Sequence, residues 1–245
     1  MKLISNIFKK SRSIEDGIFF DNMKEILGFD PGQLEIYRRA FSHKSLNKTD
    51  SQGNVYSYER LEFLGDSVIG TVIASYLYNQ VPAGDEGYLT KMRSKIVSRS
   101  HLNELGKELN LVQLIDKKAS AQNLSENVHG NVFEALVGAV FLDKGYAYCE
   151  KFIYKRVIRP HVDIKRLEGK IISYKSLLIE WCQKEKKSFR FDVKTINENS
   201  RDISFEVRLY IEDELLSKAG ALSKKAAEEK AATRGYYALQ NKMSK

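Results

Sequence analysis

The sequence predicts two domains of different class, an all-α N-terminal domain followed by a small α+β C-terminal domain. Up to about residue 165, apolar residues recur every three or four positions, which is the period of helices packed on a core. From Phe189 onward the period becomes two, as in strands with one buried face. The length of 245 residues allows one large or two modest domains, and the 42% hydrophobic content is enough for a folded core.

The predicted N-terminal domain covers residues 15–163. Its first helix ends at Gly28, and Asp30 is expected to cap a second helix that begins at Pro31, a residue that fits a first helical position. The Asn-, Ser- and Asp-rich residues 46–55 are predicted to form a loop. The expected helices, in chain order, cover residues 15–27, 31–43, 56–80, 86–98, 100–109, 129–143 and 146–163.

The polar residues 164–172 form the predicted linker, and the C-terminal domain covers residues 173–242. An amphipathic helix is expected over residues 174–186. Three strands follow, the last of them after the acidic turn Glu212-Asp213, and Ser223 is expected to cap the closing helix. The predicted order of elements is therefore α-β-β-β-α.

The helix predicted over residues 56–80 contains the segment Tyr58–Ser67, which reads YERLEFLGDS. Glu59, Glu62 and Asp66 have the spacing i, i+3, i+7 and therefore lie within about 60° of one another on the helix. Neighbouring carboxylates repel, and partly buried ones are unfavourable unless they are paired or bind a metal. The stripe is interpreted either as a solvated acidic face or as part of a metal site.

A second helix of similar character favours the metal site. It carries Asn131 and Glu134 at i, i+3 in an otherwise apolar sequence. Together with the first stripe they supply oxygen ligands without Cys or His, a set that suits a hard cation such as Mg²⁺, with Mn²⁺ as an expected substitute. One or two such ions provide what hydrolysis of a phosphodiester needs, namely a deprotonated water and neutralised charge.

The segment from Glu59 to Ser67 closely resembles the signature of bacterial ribonuclease III, the double-stranded-RNA endonuclease. The similarity includes the blocks Arg39–Ser45, Gly87–Ser94 and Asn131–Asp143, and it continues into the C-terminal region. The resemblance implies a ribonuclease III endonuclease fold followed by a double-stranded-RNA-binding fold. It also implies products with 5′-phosphate ends and short 3′ overhangs, and processing of ribosomal RNA precursors and other structured RNAs.

By this resemblance Asp66 and Glu134 are the central metal-binding pair, and Glu62 and Asn131 complete the metal site. Asp66, Glu134 and Glu62 are the expected catalytic residues, while Glu59 is expected to act through water or RNA contacts. Asn131 departs from the family, where Asp is usual, and an amide oxygen ligates Mg²⁺ without adding charge. Two interpretations follow: an active nuclease with weaker metal binding, or a weak or inactive double-stranded-RNA-binding protein.

Three further residues of these blocks have expected structural or functional roles. Gly65 lies mid-helix, where Gly costs about 0.5–1 kcal/mol relative to Ala, so it is either tolerated or required for close approach of another helix. The resemblance implies that Phe63 makes an apolar contact across the interface of a homodimer, whose twofold axis would provide one site for each RNA strand. For His43, a structural hydrogen bond or an RNA contact is favoured over a role as general base.

The C-terminal domain is expected to bind the RNA duplex. Lys224 and Lys225 begin the last helix, where two cations, free N–H groups and the positive end of the dipole suit phosphates. The resemblance places Glu180 against 2′-hydroxyls. The loop Asn197–Arg201 lacks the family's Gly-Pro-x-His, and Arg201 is the expected substitute contact. Duplex binding is therefore expected to be weaker or differently balanced, and salt-dependent.

Composition limits the remaining possibilities. The net charge of +8 favours an anionic partner, although charge alone does not separate RNA from DNA or an anionic membrane. No apolar run reaches the ~20 residues of a membrane span, and residues 1–10 lack a secretory signal, so a cytoplasmic protein without a membrane partner is expected. Cys149 and Cys182 have no zinc-site spacing. An all-helical scaffold with an unrelated acidic face would leave the basic C-terminal region unexplained.

Overall fold

The computed structural model describes residues 13–116, 125–168, 173–196 and 204–243. The chain divides into two compact units, Met1–Glu168 and Gly169–Lys245. The described part of the first is helical, and the second contains a three-stranded sheet with two helices, which confirms the predicted fold class. The first half of the expected linker forms a short helix, and the predicted domain limits stay a prediction.

The helices of the first unit agree with the predicted ones within three residues at each end, except for the last. Their bounds, in chain order, are α1 Ile14–Leu27, α2 Leu34–Ala40, α3 Glu59–Gln80, α4 Glu86–Ile96, α5 Arg99–Glu108, α6 Val128–Lys144, α7 Tyr146–Ile153, α8 Arg159–His161 and α9 Ile164–Glu168. Short 3-10 turns occupy Lys44–Leu46 and Leu111–Leu114. The first helix ends, as predicted, at Gly28, whose φ of 79° is left-handed.

Helix α2 begins three residues later than predicted, and the expected cap by Asp30 is wrong. Asp30 instead pairs with Lys24 at 2.9 Å. The N–H groups that precede α2 donate to Asp143 at the end of α6, with Gly32 N 2.7 Å from its carboxylate. The Tyr37 hydroxyl donates to the same carboxylate at 2.9 Å. The cap comes from a distant part of the chain, so the local sequence holds no sign of it.

The helix predicted over residues 146–163 is interrupted. A π-helical turn, Tyr154–Ile158, separates α7 from α8. Pro160 follows this turn and lacks the N–H that would donate to Arg156 in a regular helix, and its ring crowds the carbonyl of that residue. The wider turn accommodates the proline, which the sequence prediction did not take into account.

Helix α6 is the centre of the first unit. It packs against α3 and α5, and its residues from Val132 to Val140 are buried except Glu134. A β-carbon on Gly65 would overlap the backbone of Glu134, and one on Gly138 would overlap that of Leu61. The structure thus confirms that Gly65 permits the close approach of another helix.

In the second unit, helix α10, Tyr174–Lys184, and helix α11, Lys224–Met243, pack on an antiparallel sheet of order β1-β2-β3. The strands are β1 Phe189–Ile196, β2 Ser204–Ile211 and β3 Glu214–Ala221. Glu212 and Asp213 turn the hairpin with positive φ angles, as expected of an acidic turn.

The packing of α11 follows the prediction. Ala226 N donates to Ser223 Oγ at 3.2 Å, so Ser223 caps the helix as expected. Ala227 and Ala231 are fully buried between the helix and the strands. Across the described residues, none of the helices has the length and apolarity needed to cross a bilayer.

Candidate active site

The candidate active site is a cleft of about 920 Å³ between α3, α6 and the start of α5. The close contact at Gly65 brings the acidic stripe of α3 against the polar positions of α6. All five residues that the two helices were expected to contribute line this cleft: Glu59, Glu62, Asp66, Asn131 and Glu134. The structure therefore places together residues that are about 70 positions apart in the sequence.

The carboxylates of the cleft interact unfavourably with one another. Burial, then the charges of Asp66 and Glu62, raise the pKa of Glu134 to about 8. Burial and then the charge of Glu59 raise the pKa of Glu62. Loss of solvation and like charges both disfavour ionised carboxylates, and a divalent cation would reverse the balance.

The donor set fits a hard cation in its chemistry, since Glu62, Asp66, Asn131 and Glu134 offer only oxygen ligands. In the described parts of the chain, no group of three or more His, Cys, Asp or Glu side chains is arranged to hold a metal ion. The raised pKa of Glu134 is the observation that favours a cation here, because charge neutralisation would stabilise its ionised form. Metal binding by these four residues stays a prediction.

Two cations that the sequence analysis did not single out also line the cleft. Lys44 Nζ lies 2.8 Å from Glu59 Oε1, and Arg99 is the first residue of α5. The charge of Arg99 opposes the rise in pKa of both Glu62 and Glu134. No local pattern marks Arg99, because only the tertiary fold brings the start of α5 to the acids.

The segment before α3 supplies the cleft wall next to Asn131. Tyr58 is 5% exposed, and its phenol hydrogen-bonds with the Asn131 side chain. Burial raises the pKa of Tyr58, whereas the hydrogen bond with Asn131 lowers it. His43 is buried, and its Nδ1 accepts a hydrogen bond from Ser45 N at 3.2 Å. Burial lowers the pKa of His43, so the neutral ring is favoured. The expected structural hydrogen bond of His43 is confirmed.

A second set of contacts holds the first turn of α6. Asn103 on α5 accepts a hydrogen bond from Gly130 N at 2.8 Å and donates one to Asn127 Oδ1 at 3.0 Å. Gly106 lies against the backbone of His129, where a β-carbon would not fit. These contacts fix the helix turn that carries Asn131.

The candidate RNA-binding residues of the second unit are exposed where the structure describes them. Lys224 and Lys225 lie in the first turn of α11, and Glu180 lies on α10. Arg201 falls outside the described residues. Glu229 on α11 accepts hydrogen bonds from the N-terminal turn of α10, including one from Tyr174 N at 2.6 Å, so the two helices are joined. The RNA contacts of these residues stay predictions.

Comparison with protein families gives two matches. Residues 33–161 match the family described as Ribonuclease-III-like, and residues 174–237 match the double-stranded RNA binding motif. The two segments correspond to the helical unit and to the α-β-β-β-α unit.

Similar proteins span the whole chain. A protein named Ribonuclease 3 from Flavobacterium psychrophilum is 58% identical over 99% of this chain and 99% of its own. A second, from Zunongwangia profunda, is 58% identical over 100% of both chains. A third, from Phocaeicola vulgatus, is 36% identical over 94% of this chain and 76% of its own.

The helical unit also has structural neighbours. Two solved structures of the nuclease domain of ribonuclease III from Campylobacter jejuni match 58% of this chain. One has a TM-score of 0.51 at 24% identity over 98% of its chain, and the other has a TM-score of 0.50 at 25% identity over 97%. These matches show the same helical fold.

Proposed function

Because the chain belongs to the ribonuclease III family of double-stranded-RNA-specific endoribonucleases, we propose that it hydrolyses phosphodiester bonds of double-stranded RNA in a Mg²⁺-dependent reaction. The observation that carries the metal dependence is the position of Glu134, which is half-buried beside Asp66 and Glu62 with a pKa raised to about 8. A cation between α3 and α6 would relieve the repulsion that this pKa reports.

In this proposal Glu62, Asp66, Asn131 and Glu134 hold the cation, and Mn²⁺ substitutes for Mg²⁺. When bound, the ion supplies an activated water and neutralises charge on the phosphate. Asp66 and Glu134, from different helices, fix its position, and Glu62 adds a half-buried carboxylate. Glu62 and Glu134 are half-buried, so their charge interactions are stronger than in bulk water, where the dielectric is higher.

We also propose that the protein acts as a homodimer through the endonuclease domain. The described part of one chain has one such acidic cleft, whereas a duplex has two strands, and a twofold axis would supply the second cleft. Phe63 supports this arrangement, because its side chain is 78% exposed on α3, one residue from Glu62. Two clefts that act on opposite strands would leave 5′-phosphate ends and short 3′ overhangs.

The second unit would bind the RNA duplex. Lys224 and Lys225 would bind phosphates and Glu180 the 2′-hydroxyls, since A-form RNA is recognised mainly by its backbone and minor groove. The substrates proposed by analogy are precursors of ribosomal RNA and other structured RNAs, including messenger and transfer RNA precursors, in the cytoplasm.

The test is incubation of the full chain with a long RNA duplex, with and without Mg²⁺. We expect cleavage by the wild type only with the metal, and a loss of at least about 100-fold in Asp66→Ala and Glu134→Ala. Glu86→Ala removes an exposed acid of α4 outside the cleft and should cleave normally. A wild type that binds the duplex but never cuts it would instead support the interpretation of Asn131 as the mark of an inactive RNA-binding protein.

A further inference from the structure

Among the residues that the structure describes, two cationic side chains line the acidic cleft, and they differ in their partners. Lys44 is engaged, since its Nζ lies 2.8 Å from Glu59 Oε1. The guanidinium of Arg99 makes no hydrogen bond or ion pair with any residue that the structure describes, and the side chain is exposed at the cleft. Arg99 is therefore a cation in the cleft whose donors are available to a ligand.

Arg99 is close enough to act electrostatically on both acidic helices. Its charge lowers the pKa of Glu62 on α3 and of Glu134 on α6, in opposition to burial. The acids of the two helices are themselves close, because the charges of Asp66 and Glu62 on α3 both raise the pKa of Glu134 on α6 and all three line one cleft. The guanidinium thus lies beside the place where α3 and α6 present their acids together.

An RNA strand that enters this cleft brings a phosphodiester anion towards several carboxylates. The anion needs a cation of its own, in addition to any ion that the acids hold. A guanidinium suits this purpose, because it stays charged and its planar fork of N–H donors matches two oxygens of a phosphate. Lys44 is less available, since leaving Glu59 would break its ion pair.

We propose that Arg99 binds a non-bridging phosphate oxygen of the RNA strand at the cleavage site, and that before RNA binds it serves as a counterion of Glu62 and Glu134. This inference rests on the proposed nuclease function and adds a substrate-binding residue to it. In the counterion role Arg99 competes with a divalent cation for the same carboxylates. In the phosphate role Arg99 promotes cleavage of the RNA strand.

The two roles predict opposite effects of one substitution. Arg99→Gln should strengthen metal binding in the absence of RNA by about 2- to 5-fold, because a repelling charge is removed. The same variant should lower kcat/KM for duplex RNA at saturating Mg²⁺ by about 10- to 100-fold, because a charge-assisted hydrogen bond to the substrate is lost. Arg99→Lys keeps the charge, so its metal affinity should match the wild type, with cleavage only partly retained.

The experiment uses the full chain and two measurements. Mn²⁺ affinity without RNA is measured by electron paramagnetic resonance, and cleavage of a defined RNA duplex is measured under single-turnover conditions. Arg60→Gln is the matched control: Arg60 is an exposed arginine of α3 that lies next to Glu59 but does not line the cleft, so neither quantity should change.

Each other outcome overturns the inference. Tighter Mn²⁺ binding with unchanged cleavage would make Arg99 a counterion alone. Weaker Mn²⁺ binding and slower cleavage, with a lower melting temperature, would make it a structural residue. A wild type that cleaves no duplex in the same assay would refute the proposed function and the inference together, whereas an active wild type with an equally active Arg99→Gln refutes the inference alone.

Discussion

Gly65 and Gly138 lie opposite each other where α3 meets α6, and each occupies a position where a β-carbon would overlap the other helix. At Gly65 the overlap is with the backbone of Glu134, and at Gly138 it is with the backbone of Leu61. Glu134 therefore does two things here: its backbone leaves no room for a side chain at position 65, and its carboxylate lines the cleft. Helix separation and cleft geometry are therefore coupled through one pair of glycines.

Gly65→Ala should destabilise the protein and impair metal binding. The new methyl group meets backbone rather than a movable side chain, so the helices must separate, at a cost of about 2–4 kcal/mol in the free energy of unfolding. Gly70→Ala on the same helix is the control, because a β-carbon there meets nothing within 4 Å. It should stabilise by about 0.5–1 kcal/mol through helix propensity. Urea unfolding measures both, and equal effects would contradict the close-contact explanation.

Glu134 should make the metal-free protein less stable as pH rises. Its pKa is about 8 in the folded chain, against an ordinary value of 4.5, so the folded state retains a proton that the unfolded state has released between these values. The contribution of Glu134 to the free energy of unfolding is fully present below about pH 4.5 and is lost as the pH rises through about 8.

Glu134→Gln carries no titrating group and should remove this part of the pH dependence, so that at pH 9 the variant exceeds the wild type by about 1–3 kcal/mol. Urea unfolding in EDTA between pH 5 and pH 9 tests the difference. Glu86→Gln, outside the cleft, should follow the wild type. Parallel profiles for wild type and Glu134→Gln would show that the pKa of this carboxyl is not raised in the folded chain.

Asn131→Asp should bind Mg²⁺ more tightly. The change adds a carboxylate at the ligand position of α6, and affinity for hard cations rises with ligand charge, so a gain of about tenfold is expected. Asn127→Asp adds the same charge to the cleft wall one helix turn earlier and should give a much smaller gain. Cleavage titrated with Mg²⁺ gives the half-saturation for each variant, and an unchanged value in Asn131→Asp would exclude Asn131 as a ligand.

The acidic cleft could be predicted because its information is largely local. Glu59, Glu62 and Asp66 share one helix face at fixed spacing, and Asn131 and Glu134 repeat the arrangement on a second helix. The contact between the two helices could be predicted neither from the composition nor from the spacing of the apolar residues. This contact depends on Gly65. The sequence indicated that another helix could approach Gly65 closely, but not that this helix is α6.

The residues that sequence reasoning missed act through tertiary contacts. Asp143 caps α2 from the far end of α6, so Asp30, the nearer and more obvious candidate, was chosen instead. Arg99 and Asn103 reach the cleft only because α5 packs on α6. Local patterns predict helices and their faces, whereas the partner of each face requires the three-dimensional structure.

Lys224 and Lys225 should contribute to RNA affinity in proportion to the phosphates that they neutralise. For the double variant Lys224→Gln/Lys225→Gln we expect the slope of log affinity against log salt to become less steep by about 1–2. Lys218→Gln removes an exposed lysine of β3 and should leave the slope unchanged if the sheet face is not in contact with RNA. Fluorescence anisotropy with an RNA duplex in EDTA gives the slopes. An identical slope for the double variant and wild type would remove both lysines from the interface.

Phe63 should hold the proposed dimer together. The side chain is 78% exposed on α3, and burying one phenylalanine contributes about 1.5–3 kcal/mol, twice over in a symmetric interface. Phe63→Ala should therefore shift the protein towards the 28.1 kDa monomer in sedimentation. In this variant, fewer duplexes should be cut on both strands in one encounter, because a monomer would bring a single acidic cleft to the RNA. Ile14→Ala, which removes a side chain 87% exposed on α1, should sediment like the wild type. A wild type that sediments as a monomer at working concentration would contradict the dimer and require each strand to be cut in a separate encounter.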